Sequence, residues 1–206
     1  MSDSVPRTIP TPAMATTLHK DLRREVYWLR DALETAAAEC PASGQITDAA
    51  EGADIRHVLE MLEQVRCYSR AVQVFAAMVV EATLNTYGLF CFGEEAFERK
   101  AARAGPAERV KLVLEPAAAT SVADIEEIVQ IVDRLARRRN ALVHPRAELA
   151  LVDETGTFRT VTARRAGPVD LDTAHAAIAD MECFLKRFGA VLEKHHVEAA
   201  VILHLA

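Results

Sequence analysis

Apolar residues recur at intervals of three and four along most of this chain, the spacing that keeps side chains on one face of an α-helix. Leu18, Leu22, Val26, Leu29 and Leu33 carry the pattern behind Thr16 or Thr17, either of which can cap a helix, and it fades near "CPASGQ" at residues 40 to 45. A second, longer helix is expected from about Asp54, with Ile55, Val58, Leu62, Val65, Val72, Ala76 and Val79 on one face. Between residues 71 and 80 it turns apolar nearly all round, which marks a helix surrounded by others.

After a connector, the Gly105-Pro106 break opens a short helix. The next helix starts at Ser121 with Asp124, Glu126 and Glu127 in its early turns, and Ile125, Ile128, Val129, Val132, Leu135 and Ala136 form its inner stripe. It should stop at His144-Pro145, because a residue before proline is pushed out of the helical region. Residues 148 to 165 change character, with Thr and Val enriched around a Glu154-Thr155-Gly156 turn, and a β-hairpin is expected there. A last helix follows from Asp170 or Asp172, with Ile178, Met181, Phe184, Leu185, Phe188, Val191 and Leu192 in register. The pattern therefore predicts an all-α, up-down bundle of four to five helices with a small hairpin excursion before the last.

Composition agrees with this class. Half of the 206 residues are apolar but only 5% are aromatic, which favours packed helices over a sandwich. The length suits one domain over residues 16–206 behind a flexible polar tail, 1–15. That tail has no apolar segment of the signal-peptide kind, and "AVQVFAAMVV" is about half of what a membrane span needs. A soluble, cytoplasmic protein without a membrane partner is expected. Cys40, Cys67, Cys91 and Cys183 form no C-x-x-C pair and read as free thiols, with Cys67, Cys91 and Cys183 filling the core. His19, His57 and His175 read as surface or helix-flanking residues. "EKHH" at 193–196 is too isolated to make a metal site, and the phosphate-loop and dinucleotide fingerprints are missing, so neither metal nor cofactor is expected.

Charge changes the picture at one place. The chain carries a formal charge of -6, which argues against coating nucleic acid by bulk electrostatics. Yet 19 of its 24 cations are arginine, and Arg134, Arg137, Arg138, Arg139 and Arg146 crowd into one helix end. Cations suit a helix C-terminus, which is the plainest explanation of the crowding. The inner stripe, however, continues to position 139 and then to 142 and 143, so Arg139 should point into the bundle while Arg137 and Arg138 stay solvated. An arginine on a core-facing stripe is costly unless it is paired or lines a cleft. Glu81 interrupts the most apolar part of the central helix, with Asn85 one turn on, and offers Arg139 its partner. Spacing alone leaves a purely structural ion pair and an active site about equally open.

Arg139 is followed at a spacing of five by His144, an instance of the R-x(4 to 6)-H pattern that a chain of this composition meets about twice by chance over its three spacings. Taken with the preceding "Y-x-x-A-V-x-x-F-x-x-x-V-x-E-A-x-L-N" of the central helix, "RNALVHP" resembles the HEPN superfamily of all-helical domains, with Arg139, Asn140 and His144 matching its motif. The resemblance spans residues 55 to 195 and is specific over 66 to 90 and 125 to 146. It implies a metal-independent endoribonuclease, a toxin or defence effector working as a homodimer with two motifs in one cleft. It also implies RNA as substrate and an antitoxin or regulatory protein as partner. Arg146 stands where the toxins paired with nucleotidyltransferase-like antitoxins carry a tyrosine, which departs from that subfamily.

The residue types suit the chemistry. Attack of a ribose 2′-OH on the adjacent phosphate needs a base, an acid and positive charge; His144 can move the proton and Arg139 can meet the phosphate. On this reading Arg139, His144 and Asn140 are catalytic, Glu81 and Asn85 supporting, and Arg137, Arg138 and Arg146 contact RNA phosphates. The competing reading is a non-catalytic module that binds nucleotide, RNA or a partner protein in the same cleft. A plainer bundle, with Arg139 only balancing Glu81, stands behind both.

Overall fold

The structure is a computed structural model that describes residues 12–40, 52–114, 122–143, 149–152, 158–161 and 170–195. Six helices follow in order: α1 (Pro12–Glu39), α2 (Gly52–Phe92), α3 (Glu94–Ala101), α4 (Pro106–Leu114), α5 (Val122–Val143) and α6 (Leu171–His195). The helix-bundle character read from the periodicity is the character of the fold. Short strands β1 (Leu149–Val152) and β2 (Phe158–Val161) lie between α5 and α6, antiparallel, with Leu149 opposite Val161 and Val152 opposite Phe158. The turn expected at Glu154-Thr155-Gly156 lies outside the described residues.

Contacts between helices fix their directions. Tyr27 and Glu34 of α1 bond Glu182 and His175 of α6, so these two run antiparallel. Arg134 reaches Asp180 while Glu127 reaches Arg187, which makes α5 and α6 antiparallel as well. By contrast Ser69, Gln73 and Tyr87 of α2 meet Asp170, Thr173 and Phe188 in the same order along α6, so α2 and α6 are parallel. Helices α1, α2, α5 and α6 thus alternate up and down, and α3 and α4 form a side excursion between α2 and α5.

At 41 residues α2 is roughly 60 Å long and forms the axis of the bundle. Its stretch Arg56–Phe92 has the length and hydropathy to cross a membrane. Here it packs against α1, α5 and α6, burying Val72, Ala76, Val79, Val80 and Leu84. On α6 the expected face, from Ile178 to Leu192, is buried throughout. Phe184 and Phe188 stack at 5.2 Å, and Tyr87 meets Phe188 edge-on at 5.4 Å. The start of α6 is set by Asp170, whose carboxylate accepts from Thr173 N–H at 2.8 Å, while its carbonyl accepts from Ser69 Oγ at 2.6 Å. The helix cap is therefore also the lock between α6 and α2.

Four expectations need correction. Helix α1 starts at Pro12 rather than Thr16 or Thr17, a start that proline tolerates because the first-turn N–H has no helical partner. His19 is buried while Leu18 is exposed, because the stripe at 22, 26, 29 and 33, extended backwards at 3.6 residues per turn, falls between 18 and 19. Cys67 is exposed rather than core-filling, since the buried face of α2 passes through 69, 72, 73 and 76. The connector after α2 contains a further helix, α3, which follows Gly93 at a positive φ of 74°. The Phe97 ring of α3 packs against Gly88, where an added Cβ would come within 2.1 Å of it.

Packing at these positions predicts a ranking of stabilities. Leu135→Ala should cost about 2 to 5 kcal/mol and Gly88→Ala about 1 to 3 kcal/mol. Val143→Ala, at the half-exposed end of α5, should stay within about 0.5 kcal/mol. Urea midpoints of the three variants check this order, and a Val143 variant as weak as the Leu135 variant would contradict the phase of α5.

Candidate functional site

The C-terminal turns of α5 present the crowded arginines, and the rotation of the helix decides what each one meets. Ile128, Ile131, Val132, Leu135, Ala136 and Leu142 are buried, with Ile125 and Val129 partly covered. This stripe leaves position 139 at its edge, while Val143, expected inside, is 50% exposed. Arg139 is accordingly half-buried, its side chain 29% exposed.

The expected partner is there. Arg139 Nη1 donates to Glu81 Oε2 at 3.3 Å, and Nη2 lies 3.2 Å from Glu81 Oε1, a two-pronged pair between α5 and α2. Its Nε donates to Asn140 Oδ1 at 3.3 Å. A guanidinium has five N–H donors, so these contacts among the described residues use three and leave two directions for a ligand. Glu81 is 25% exposed, so the pair is solvent-screened and is worth about 1 kcal/mol or less. Its larger effect is orientation, because two prongs fix the plane of the guanidinium.

The other arginines are not free. Arg138 Nη1 is 2.6 Å from Asp180 Oδ2 and Arg134 Nη2 is 2.7 Å from Asp180 Oδ1, with the Asp180 side chain only 14% exposed. The hydrogen bond to Asp180 raises the Arg134 pKa against an opposing desolvation. Arg138, expected to be solvated, is instead clamped against α6, because α6 packs on this flank of α5 and carries a carboxylate there. Arg137 is the solvated one, 80% exposed and in a one-turn pair with Asp133 at 2.6 Å. Two arginines on one aspartate leave a single net positive charge at that flank.

Asn85, read as support for Arg139, takes a different partner. Its Oδ1 accepts from Arg109 Nη1 at 3.1 Å, and Arg109 Nε donates to the carbonyl of Ala104 at 3.1 Å. Arg109 escaped the sequence reading because it stands 24 residues from Asn85, on a helix placed only by the turns around α3. The one available signal was the Gly105-Pro106 break, which starts α4 and sets position 109 in its first turns. Beside this pair opens a cleft of about 410 Å³, lined by Asn85, Leu89, Glu98, Ala101, Ala102 and Arg109 over the Phe97 ring.

His144 and Arg146 lie outside the described residues. Among the described residues no three His, Cys, Asp or Glu side chains group as a metal site. Tyr87 is buried and Cys91, one turn on along α2, partly so, and burial raises both pKa values, which makes them poor candidates for acid-base work at neutral pH. What the arrangement offers chemically is an oriented, half-open guanidinium on α5 and a second one a turn of α2 away. Compared with known proteins, the chain matches no family model, no curated protein and no solved structure.

Proposed function

We propose that the end of α5 is the active site of a metal-independent endoribonuclease. The observation that carries this reading is the posture of Arg139: held in plane by Glu81, yet 29% exposed and with donors left over. An arginine kept only to balance a carboxylate gains nothing from an open face. A phosphate meets such a face with two charge-assisted hydrogen bonds.

In this reaction the ribose 2′-oxygen forms a bond to phosphorus while the bond from phosphorus to the 5′-oxygen breaks. A base takes the 2′-OH proton and an acid gives one to the leaving oxygen. His144 stands five residues beyond Arg139, and an imidazole, the side chain whose ordinary pKa lies near neutrality, serves one of these steps. Arg139 stabilises the charge developing on phosphorus, and Asn140, already bonded to Arg139 Nε, steadies the guanidinium or the substrate. One chain brings one R-x4-H histidine, so a two-fold homodimer supplies the second proton carrier. Glu81 is a positioning residue. Arg137, exposed and among the described residues held only by Asp133 on the same helix, can turn to an RNA phosphate, and Arg146 is assigned the same role. The resemblance to HEPN domains extends the proposal to a toxin or defence effector in the cytoplasm, restrained by an antitoxin or regulatory protein.

One observation favours a second reading. Asp180, Asp133 and Glu81 offset most of the arginine charge within the chain, which suits a non-catalytic module that binds nucleotide, RNA or a partner protein selectively.

Cleavage of a labelled RNA pool in EDTA decides between them. Wild type should leave 2′,3′-cyclic phosphate and 5′-hydroxyl ends, and His144→Ala and Arg139→Ala should each slow it by about 10²-fold or more. Cleavage unaffected by both substitutions, or absent from the wild-type homodimer while RNA still binds, overturns the enzyme in favour of the module.

Stability separates the plainest reading from both. Arg139→Ala and Glu81→Gln should each cost about 1 kcal/mol or less, since the pair is screened. A large fall in melting temperature with cleavage and RNA binding intact would make the pair purely structural.

A further inference from the structure

The cleft between α2, α3 and α4 carries chemistry that the α5 motif does not use. Arg109 is half-buried there, and among the described residues its hydrogen-bond acceptors are Asn85 Oδ1 and the Ala104 carbonyl, both neutral. Arg134, Arg137, Arg138 and Arg139 each meet a carboxylate within ion-pair distance, and among the described residues Arg109 does not. Glu98 also lines the cleft but makes no ion pair among the described residues. A partly desolvated guanidinium whose hydrogen-bond acceptors are neutral has no ion pair among the described residues to offset its charge, with the Glu98 carboxylate elsewhere in the lining of the same cleft. Two of its contacts hold Nε and Nη1 toward the protein, which leaves Nη2 directed elsewhere.

Position links this arginine to the site on α5. Glu81 and Asn85 are four residues apart on α2, so their Cβ atoms stand about 6 Å apart on one face. Glu81 holds Arg139 and Asn85 holds Arg109. The two guanidinium groups are therefore hung from successive turns of one helix, one charge-balanced and one not. We propose that Arg109 is a second phosphate-binding residue of this site, taking the RNA backbone phosphate next to the one Arg139 meets. The neighbouring ribose or base then lies along Leu89, Ala101 and Ala102, the apolar wall of the cleft. This rests on the RNA reading of the α5 site but not on its catalysis.

The test reads binding alone, with a fluorescent, fully 2′-O-methylated oligoribonucleotide that has no free 2′-OH and cannot be cleaved by 2′-OH attack. Anisotropy titrations across salt concentrations compare wild type with Arg109→Gln, Arg109→Lys and Asn85→Asp. Arg109→Gln should weaken binding roughly five- to tenfold and make the slope of log K against log salt shallower by about 0.7, the share of one phosphate contact on a single strand. Arg109→Lys keeps the charge and should keep the slope. Asn85→Asp still accepts from Arg109 but cancels its charge in place, so it should weaken binding as Arg109→Gln does while leaving the arginine and the fold intact. Melting temperatures within a few degrees of wild type confirm that folding is not what changed.

Wild-type affinity and slope in both Arg109→Gln and Asn85→Asp overturn the proposal, while the endoribonuclease reading would stand on the cleavage assay. Absent cleavage with Arg109-dependent binding does the reverse. Failure of wild type to bind the oligonucleotide, together with heat protection by a 5′-mononucleotide that Arg109→Gln abolishes, replaces RNA by a small phosphate ligand and also overturns it.

Discussion

Glu81 sits one residue beyond the most apolar run of α2, where its carboxylate stays partly exposed, and the placing of α5 gives it a counter-ion that fixes geometry more than stability. Arg139 reaches it only if α5 runs antiparallel to α2 with its apolar stripe turned so that position 139 falls at the edge of the interface. The same rotation sends Arg134 and Arg138 to the other flank, where Asp180 of α6 receives both. One ion pair and one shared aspartate thus bracket α5 from two sides. They contribute little free energy, being partly exposed, but a slide of α5 by one turn would break both.

The same logic runs along α2. Ser69 and Gln73 tie it to the cap of α6, Glu81 to α5 and Asn85 to α4, at intervals that keep all four polar groups near neighbouring helices. Hydrophobic burial of Leu84, Leu135, Phe184 and Phe188 supplies the driving force, and it is indifferent to small shifts along the bundle. Polar partners are not indifferent, since a hydrogen bond lengthened by an ångström is lost. The polar contacts of α2 therefore select the register in which the apolar faces pack, and that register brings Arg109 and Arg139 to one face.

How much of this was legible in the sequence depends on whether the signal was periodic or tertiary. The buried face of α6 and most of the stripe of α5 follow from spacing alone. The Glu81 and Arg139 pair was readable too, because each residue breaks an apolar pattern and so needs a partner of opposite charge. Phase errors of one residue explain His19 and Val143: a stripe defined by five or six apolar residues does not fix positions at its ends, where 3.6 residues per turn falls between integers. Arg138 with Asp180 and Arg109 with Asn85 were not legible, because both depend on which flanks of separate helices meet. Arg138 interrupts no apolar pattern, and α3, whose turn carries α4 back onto α2, was itself read as a connector.

An acidic chain that pairs its own arginines sets a particular kind of selectivity. Arginines already offset by Glu81, Asp133 and Asp180 project little field beyond a Debye length, so a polyanion is not drawn in from afar. What they offer instead is preorganisation. Arg139 has its plane fixed before any ligand arrives, and less side-chain freedom remains to be lost on binding. Arg109, fixed by neutral acceptors, keeps the charge that Arg139 has shared. A ligand that places one phosphate at each gains from both, whereas a single anion must choose between an oriented but balanced guanidinium and an unbalanced one. On the proposed reading, discrimination comes from the spacing of charges along the ligand, which an extended phosphodiester strand provides and a lone phosphate does not.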